Sequence, residues 1–68
     1  MENTTQKIID QRQELNLKII NKIKDLILAH PDLRFTQILS NLNLDKDRFY
    51  EEPDETLKSI EICEQLYF

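Results

Sequence analysis

Between residues 4 and 29, apolar side chains recur every three or four positions with no proline break. At 100° per residue, Ile8, Leu15, Ile19, Ile23 and Leu26 fall on one side of a helix, with Ile9, Ile20 and Ile27 beside them. These positions span about 140°, a stripe broad enough to face a core. Leu17 and Leu28 fall on a different side, and Arg12 and Asn16 interrupt the stripe in its N-terminal half. Asn3, Thr4 and Thr5 each offer a side-chain oxygen suited to an N-cap. Pro31, just past Ala29, is a stop signal. The pattern predicts one long helix over residues 4–29.

A second, shorter helix is predicted over residues 32–42, with Asp32 as its cap. Phe35, Ile38, Leu39 and Leu42 share a face at i, i+3, i+4 and i+7. The chain has no glycine, so Asn41 or Asn43 is expected to take the left-handed residue that ends this helix. Residues 44–52 read as a connector holding one helical turn around 47–50. A third helix is predicted over residues 53–66. Pro53 suits its first position, and Asp54 and Glu55 suit the positive end of its dipole. Leu57, Ile60, Cys63 and Tyr67 form its face, flanked by Ile62 and Leu66.

The expected fold is all-α: a single domain over residues 1–68, with one long N-terminal helix packed by two short ones. At 1.5 Å per residue the long helix spans about 37 Å and the short ones about 15 and 20 Å. The short helices are expected on the C-terminal half of the long one. That leaves Ile8, Ile9 and Leu15, with Arg12 and Asn16 in the same stripe, on an exposed arm expected to pair with a second copy, a homodimer through the long helix with a two-fold axis; the alternatives are a solvated arm that frays and a different protein partner. Arg12 and Asn16 would set the dimer's register.

Composition narrows the function classes. There is no Gly, Trp or Val, and Leu and Ile supply most of the apolar set. This disfavours a β-barrel and any Gly-built phosphate loop. A lone cysteine, Cys63, excludes an internal disulfide and points to a reducing compartment. No secretory signal pattern opens the chain, and the longest apolar run, residues 26–29, is too short to span a bilayer. The reading is a cytoplasmic protein, in the host cytoplasm if phage-encoded, with no membrane partner. The net charge of −4 is lopsided. Residues 45–68 hold eight acids (Asp45, Asp47, Glu51, Glu52, Asp54, Glu55, Glu61, Glu64) against three bases (Lys46, Arg48, Lys58). An acidic lobe repels nucleic-acid phosphates and suits a basic partner surface.

No chemistry-bearing constellation emerges. His30, the sole histidine, is placed to cap the last carbonyls of the long helix. One His and one Cys far apart make no zinc pattern, and the carboxylates lack calcium-loop spacing. Cys63 sits on an apolar helix face, as a buried, inert thiol would. Catalytic, cofactor-binding and metal residues are therefore none, and the protein is read as a non-enzyme without a cofactor. Residues 35–51 have the length of a helix-turn-helix, but a reading helix over 45–51 would carry more acids than bases. DNA binding is disfavoured accordingly.

The middle of the chain carries a family resemblance. Pro31-Asp32-Leu33-Arg34-Phe35-Thr36-Gln37-Ile38-Leu39, followed by Asp47, Phe49-Tyr50-Glu51-Glu52 and Leu57, resembles a family of small bacterial and phage proteins. Their shared pattern is Pro-Asp/Glu-Leu-Arg-Phe/Leu-x-Gln-Leu/Ile-Leu, then Asp-x-Phe-Tyr-x-Glu, then a short helix. The resemblance covers about residues 27–60 and implies no activity, since the family has none assigned. Phe35, Ile38, Leu39, Phe49 and Leu57 are expected in the core. Arg34, Gln37, Asp47, Tyr50, Glu51 and Glu52 are polar and gather around the loop between helices two and three. Arg34 is expected to pair with one of the acids; as a set the six are the candidate partner contacts. The functional expectation is a non-enzymatic interaction or accessory protein, phage- or mobile-element-encoded. The alternatives are an acidic inhibitor of a basic nucleic-acid-binding surface and, disfavoured, a DNA-binding regulator.

Overall fold

A computed structural model describes residues 4–68 and contains three helices: α1, Thr4–Ala29; α2, Phe35–Asn41; and α3, Pro53–Tyr67. The long N-terminal helix is packed by the two shorter ones, as the periodicity predicts. Asn3, one of the three expected caps, lies outside the described residues.

The direction of α3 decides the shape. Arg12 meets Glu52 just before α3 begins, Lys22 meets Glu64 within it, and the His30 ring lies 5.1 Å from the Phe68 ring past its end. α1 and α3 are therefore parallel, and residues 30–52 form the crossover between them. The molecule is elongated, 50 × 23 × 18 Å. The expectation that both short helices sit on the C-terminal half of α1 needs correction. α3 starts at the level of Arg12 and covers Leu15, which is partly buried. Only the first two turns of α1 project beyond it.

The turns explain this path. His30 N–H still bonds to the Leu26 carbonyl at 3.0 Å, and Leu33 N–H closes a turn onto the His30 carbonyl at 3.1 Å. Pro31 occupies the second position of that turn, where its fixed φ fits. α2 begins at Phe35, three residues later than expected, because Arg34 rather than Asp32 is its N-cap. Arg34 has an extended backbone and no acceptor to offer. Gln37 compensates: its Oε1 accepts the Arg34 N–H at 2.8 Å, one half of a capping box.

α2 ends as the asparagines predict. Asn43 takes φ 59°, the left-handed region. Asn43 N–H bonds to the Ser40 carbonyl at 2.9 Å and Leu44 N–H to the Leu39 carbonyl at 2.8 Å. This is a Schellman motif with Asn in the glycine position. Its hydrophobic partner is also present, since Leu44 packs against the core.

The core is small: Leu26, Ile38, Leu42, Ile60 and Cys63, with Ile19, Ile23, Leu33, Leu44 and Phe68 packed around it. Two expected core residues lie outside. Phe35 is 58% exposed and Phe49 84% exposed. Phe35 sits in the first turn of α2, while Ile38 and Leu42 further along pack into the core. Phe49 belongs to a turn that projects from the connector. Tyr67, placed on the inner face of α3 by its period, is also exposed, since the helix ends there.

Candidate functional site

The connector between α2 and α3 contains no helix. Residues 45–51 make a polar turn instead: Glu51 N–H bonds to the Arg48 carbonyl at 2.9 Å, and Asp47 Oδ1 accepts the Phe49 N–H at 3.2 Å. The second helix of a helix-turn-helix is therefore missing from this segment.

Arg48 organises the turn. Its guanidinium donates to Glu51 Oε1 at 2.9 Å and to Ser59 Oγ at 3.2 Å, and Thr56 Oγ1 donates to the same Glu51 oxygen at 2.6 Å. Arg48 and Glu51 are mostly shielded from water, so their charge-assisted bonds are stronger than an exposed pair would give. The expected tie between Arg34 and an acid is replaced by this one. Among the described residues Arg34 makes no ion pair. Sequence reasoning passed over Arg48; the signal available was its i, i+3 spacing to Glu51.

Glu52 forms the other tie. Arg12 Nε and an Arg12 terminal nitrogen each reach a different oxygen of Glu52 at 3.2 Å, a two-pronged bond across 40 residues of sequence. Both partners are about half exposed, so the bond fixes geometry more than it stabilises. The free Arg12 expected to set a dimer register is thus already engaged within the chain.

The six candidate partner contacts separate into two places. Tyr50, Glu51 and Glu52 gather at the Arg12 end of α1, and Asp47 lies in the same turn, accepting the Phe49 N–H. Arg34 and Gln37 lie at the His30 end of α1, about 27 Å away along the helix axis. The first group adjoins a shallow hollow of about 350 Å³ lined by Arg12, Asn16, Phe49, Tyr50, Glu51, Glu52 and Pro53. Phe49 and Tyr50 stack edge-to-face with ring centroids 5.0 Å apart, and Tyr50 is 92% exposed.

The four self-association candidates also divide. Leu15 is partly buried and Ile8 half exposed, and both line a hollow with Pro53 and Asp54; Arg12 is paired, and Asn16 is exposed. The apolar flank that stays open is rotated away from this stripe. Ile9, Ile20 and Ile27 lie along it, with Leu17 and Leu28 beyond, and Ile20 is 60% exposed in mid-helix. Among the described residues more large apolar side chains are exposed than buried.

Among the described residues no three of His, Cys, Asp and Glu approach closely enough to hold a metal ion, and no helix is long and apolar enough to cross a membrane. Cys63 is buried and unpaired. Comparison of the chain with protein-family models, with curated proteins and with solved structures gives no match.

Proposed function

We propose that this protein is a non-enzymatic helical docking module, and that it binds another protein helix along the open flank of α1. The observation that carries the reading is Ile20. It sits in the middle of a long helix, at the edge of a well-covered stripe, yet more than half of its surface faces water. Burying such a side chain is worth about 1.5–3 kcal/mol, and Ile9, Ile27 and Leu17 repeat the situation along the same flank. The cytoplasm is the setting this reading implies, and an accessory role in a phage or mobile element agrees with the resemblance over residues 27–60.

The acidic-inhibitor reading draws less support. Glu51 and Glu52, the centre of the acidic segment, are committed to Arg48 and Arg12. A DNA-reading role would need a groove-entering element that residues 45–51 do not form.

The test is native mass separation of the tagged chain from the cells that produce it, beside an Ile20→Asp variant. The wild type is expected in complexes heavier than 8.2 kDa, with the variant released from them while keeping its helix content. A wild type found entirely at 8.2 kDa overturns the reading.

A further inference from the structure

The open flank of α1 has a regular spacing. Ile9, Gln13, Asn16, Ile20, Ile23 and Ile27 follow one another at alternating steps of four and three, the a/d pattern of a coiled-coil seam. Ile23 borders the core, and the other five are exposed. We infer that the occupant of this seam is a second copy of the same chain, laid antiparallel with the two-fold axis beside Lys18. This rests on the docking-module reading and names its partner.

The register follows from the sequence. Turned about that axis, the seam matches itself: Ile9 lies opposite Ile27 of the partner subunit, Gln13 opposite Ile23 of the partner subunit, and Asn16 opposite Ile20 of the partner subunit. The two Asn16 side chains fall in neighbouring layers, about 6 Å apart along the axis. An amide both donates and accepts, so two copies can satisfy each other in the middle of an apolar seam. A polar pair there fixes register.

Charge at the seam's edge selects the same arrangement. Asp10, Leu17 and Lys24 flank the seam on the side away from α3, and all three are exposed. In the antiparallel register Asp10 faces Lys24 of the partner subunit, twice by symmetry, and Leu17 meets its own copy at the two-fold axis. Lys24 has no ion pair within its own chain among the described residues. Asp10 accepts a hydrogen bond from Gln6 Nε2 at 2.9 Å. A parallel pair using the same seam would set Lys24 against Ile19 of the partner subunit and Leu17 against Arg12 of the partner subunit, and would align the two helix dipoles. The exposed Phe49 and Tyr50 rings stand beside Asn16 at the other edge, where the second chain would cover them.

Three measurements on the purified full chain test this. Sedimentation equilibrium should give twice 8.2 kDa at micromolar concentration and 8.2 kDa for Ile20→Asp, with unchanged far-ultraviolet circular dichroism. Asp10→Lys and Lys24→Asp should each weaken the dimer, roughly tenfold for the two symmetric pairs, and the double swap should restore it. A nitroxide on Ala29→Cys, in a Cys63→Ala background, should report a separation of about 33 Å or more between labels. A wild-type mass of 8.2 kDa up to millimolar concentration overturns the dimer. If the chain is nevertheless held in larger complexes in cells through Ile20, the docking reading survives and only the identity of the partner is wrong. A label separation below about 20 Å, or a double swap that stays as weak as the single ones, overturns the antiparallel register.

Discussion

The two ends of the α1–α3 pair are held by different physics. At the C-terminal end of α1, Leu26, Ile38, Leu42, Ile60 and Cys63 meet in a dry junction of three helices. At the other end only two helices are present, and carboxylates fix the geometry: Glu52 ties Arg12 of α1 to the start of α3, and Glu51 on Arg48 and Thr56 holds the connector onto α3. Apolar packing supplies stability but tolerates small shifts. Two-pronged and shared hydrogen bonds supply little net energy where exposed, but they fix where the chain turns back. A chain this short has apolar material for one such junction, and it spends polar groups on positioning the rest.

This contrast yields a graded set of outcomes. Leu42→Ala or Ile38→Ala empties the dry junction and should cost about 2–5 kcal/mol. Out of a total near the lower end of about 5–15 kcal/mol, that leaves a protein largely unfolded on warming, readable by circular dichroism. Phe35→Ala, at the exposed first turn of α2, should stay within about 0.5 kcal/mol of wild type. Equal losses at Phe35 and Ile38 would mean that the inner face of α2 is misassigned.

At the polar end, Glu51→Ala removes the acceptor shared by Arg48 and Thr56. A loss of about 1.5–3 kcal/mol is expected, as for hydrogen bonds to a charged group, and chemical denaturation will measure it. Between the two regions stands Asn43. Replacing it with Val forces a β-branched residue into φ 59° and should cost about 1–2 kcal/mol, whereas Asn43→Gly should be neutral or slightly stabilising. At the polar end the smallest effect belongs to Arg12→Ala, at most about 1 kcal/mol because the pair is half exposed. Its clearer signature should be faster amide hydrogen exchange in the first three turns of α1. A large stability loss at Arg12 would show that the polar end contributes as much as the apolar one, and the contrast would fail.

Much of this fold was legible in the sequence, and the misses have a common cause. Helix positions follow from period and punctuation: Pro31, Asn43 and Pro53 mark their ends with local chemistry, and the structure respects each. Local chemistry also explains the late start of α2, since Gln37 reaches back to Arg34 and makes a cap where no oxygen-bearing cap residue stands. What periodicity does not encode is the direction in which α3 returns. That direction decides that Leu15 is covered and Arg12 engaged. It also removes Leu15 from the open arm, while Ile9 stays exposed as expected and the open flank continues through Ile20 and Ile27. The candidate contacts were placed by nearness in sequence to one loop, and the crossover carried Arg34 and Gln37 to the opposite end from Tyr50 and Glu52. Phe35 was assigned inward by its period and Phe49 by residue type, but a small core of three helices does not surround every aromatic.

The parallel crossover also governs the order in which the chain can assemble. Contacts between α1 and α2 join residues close in sequence, as Leu26 and Ile38 do. Those between α1 and α3 join Arg12 to Glu52 and Lys22 to Glu64, separations of 40 and 42 residues. Closing the longer loop costs more chain entropy before any contact rewards it. The α1–α2 corner should therefore form early and α3 dock last, so that a substitution at Ile38 slows folding while one at Ile60 mainly speeds unfolding.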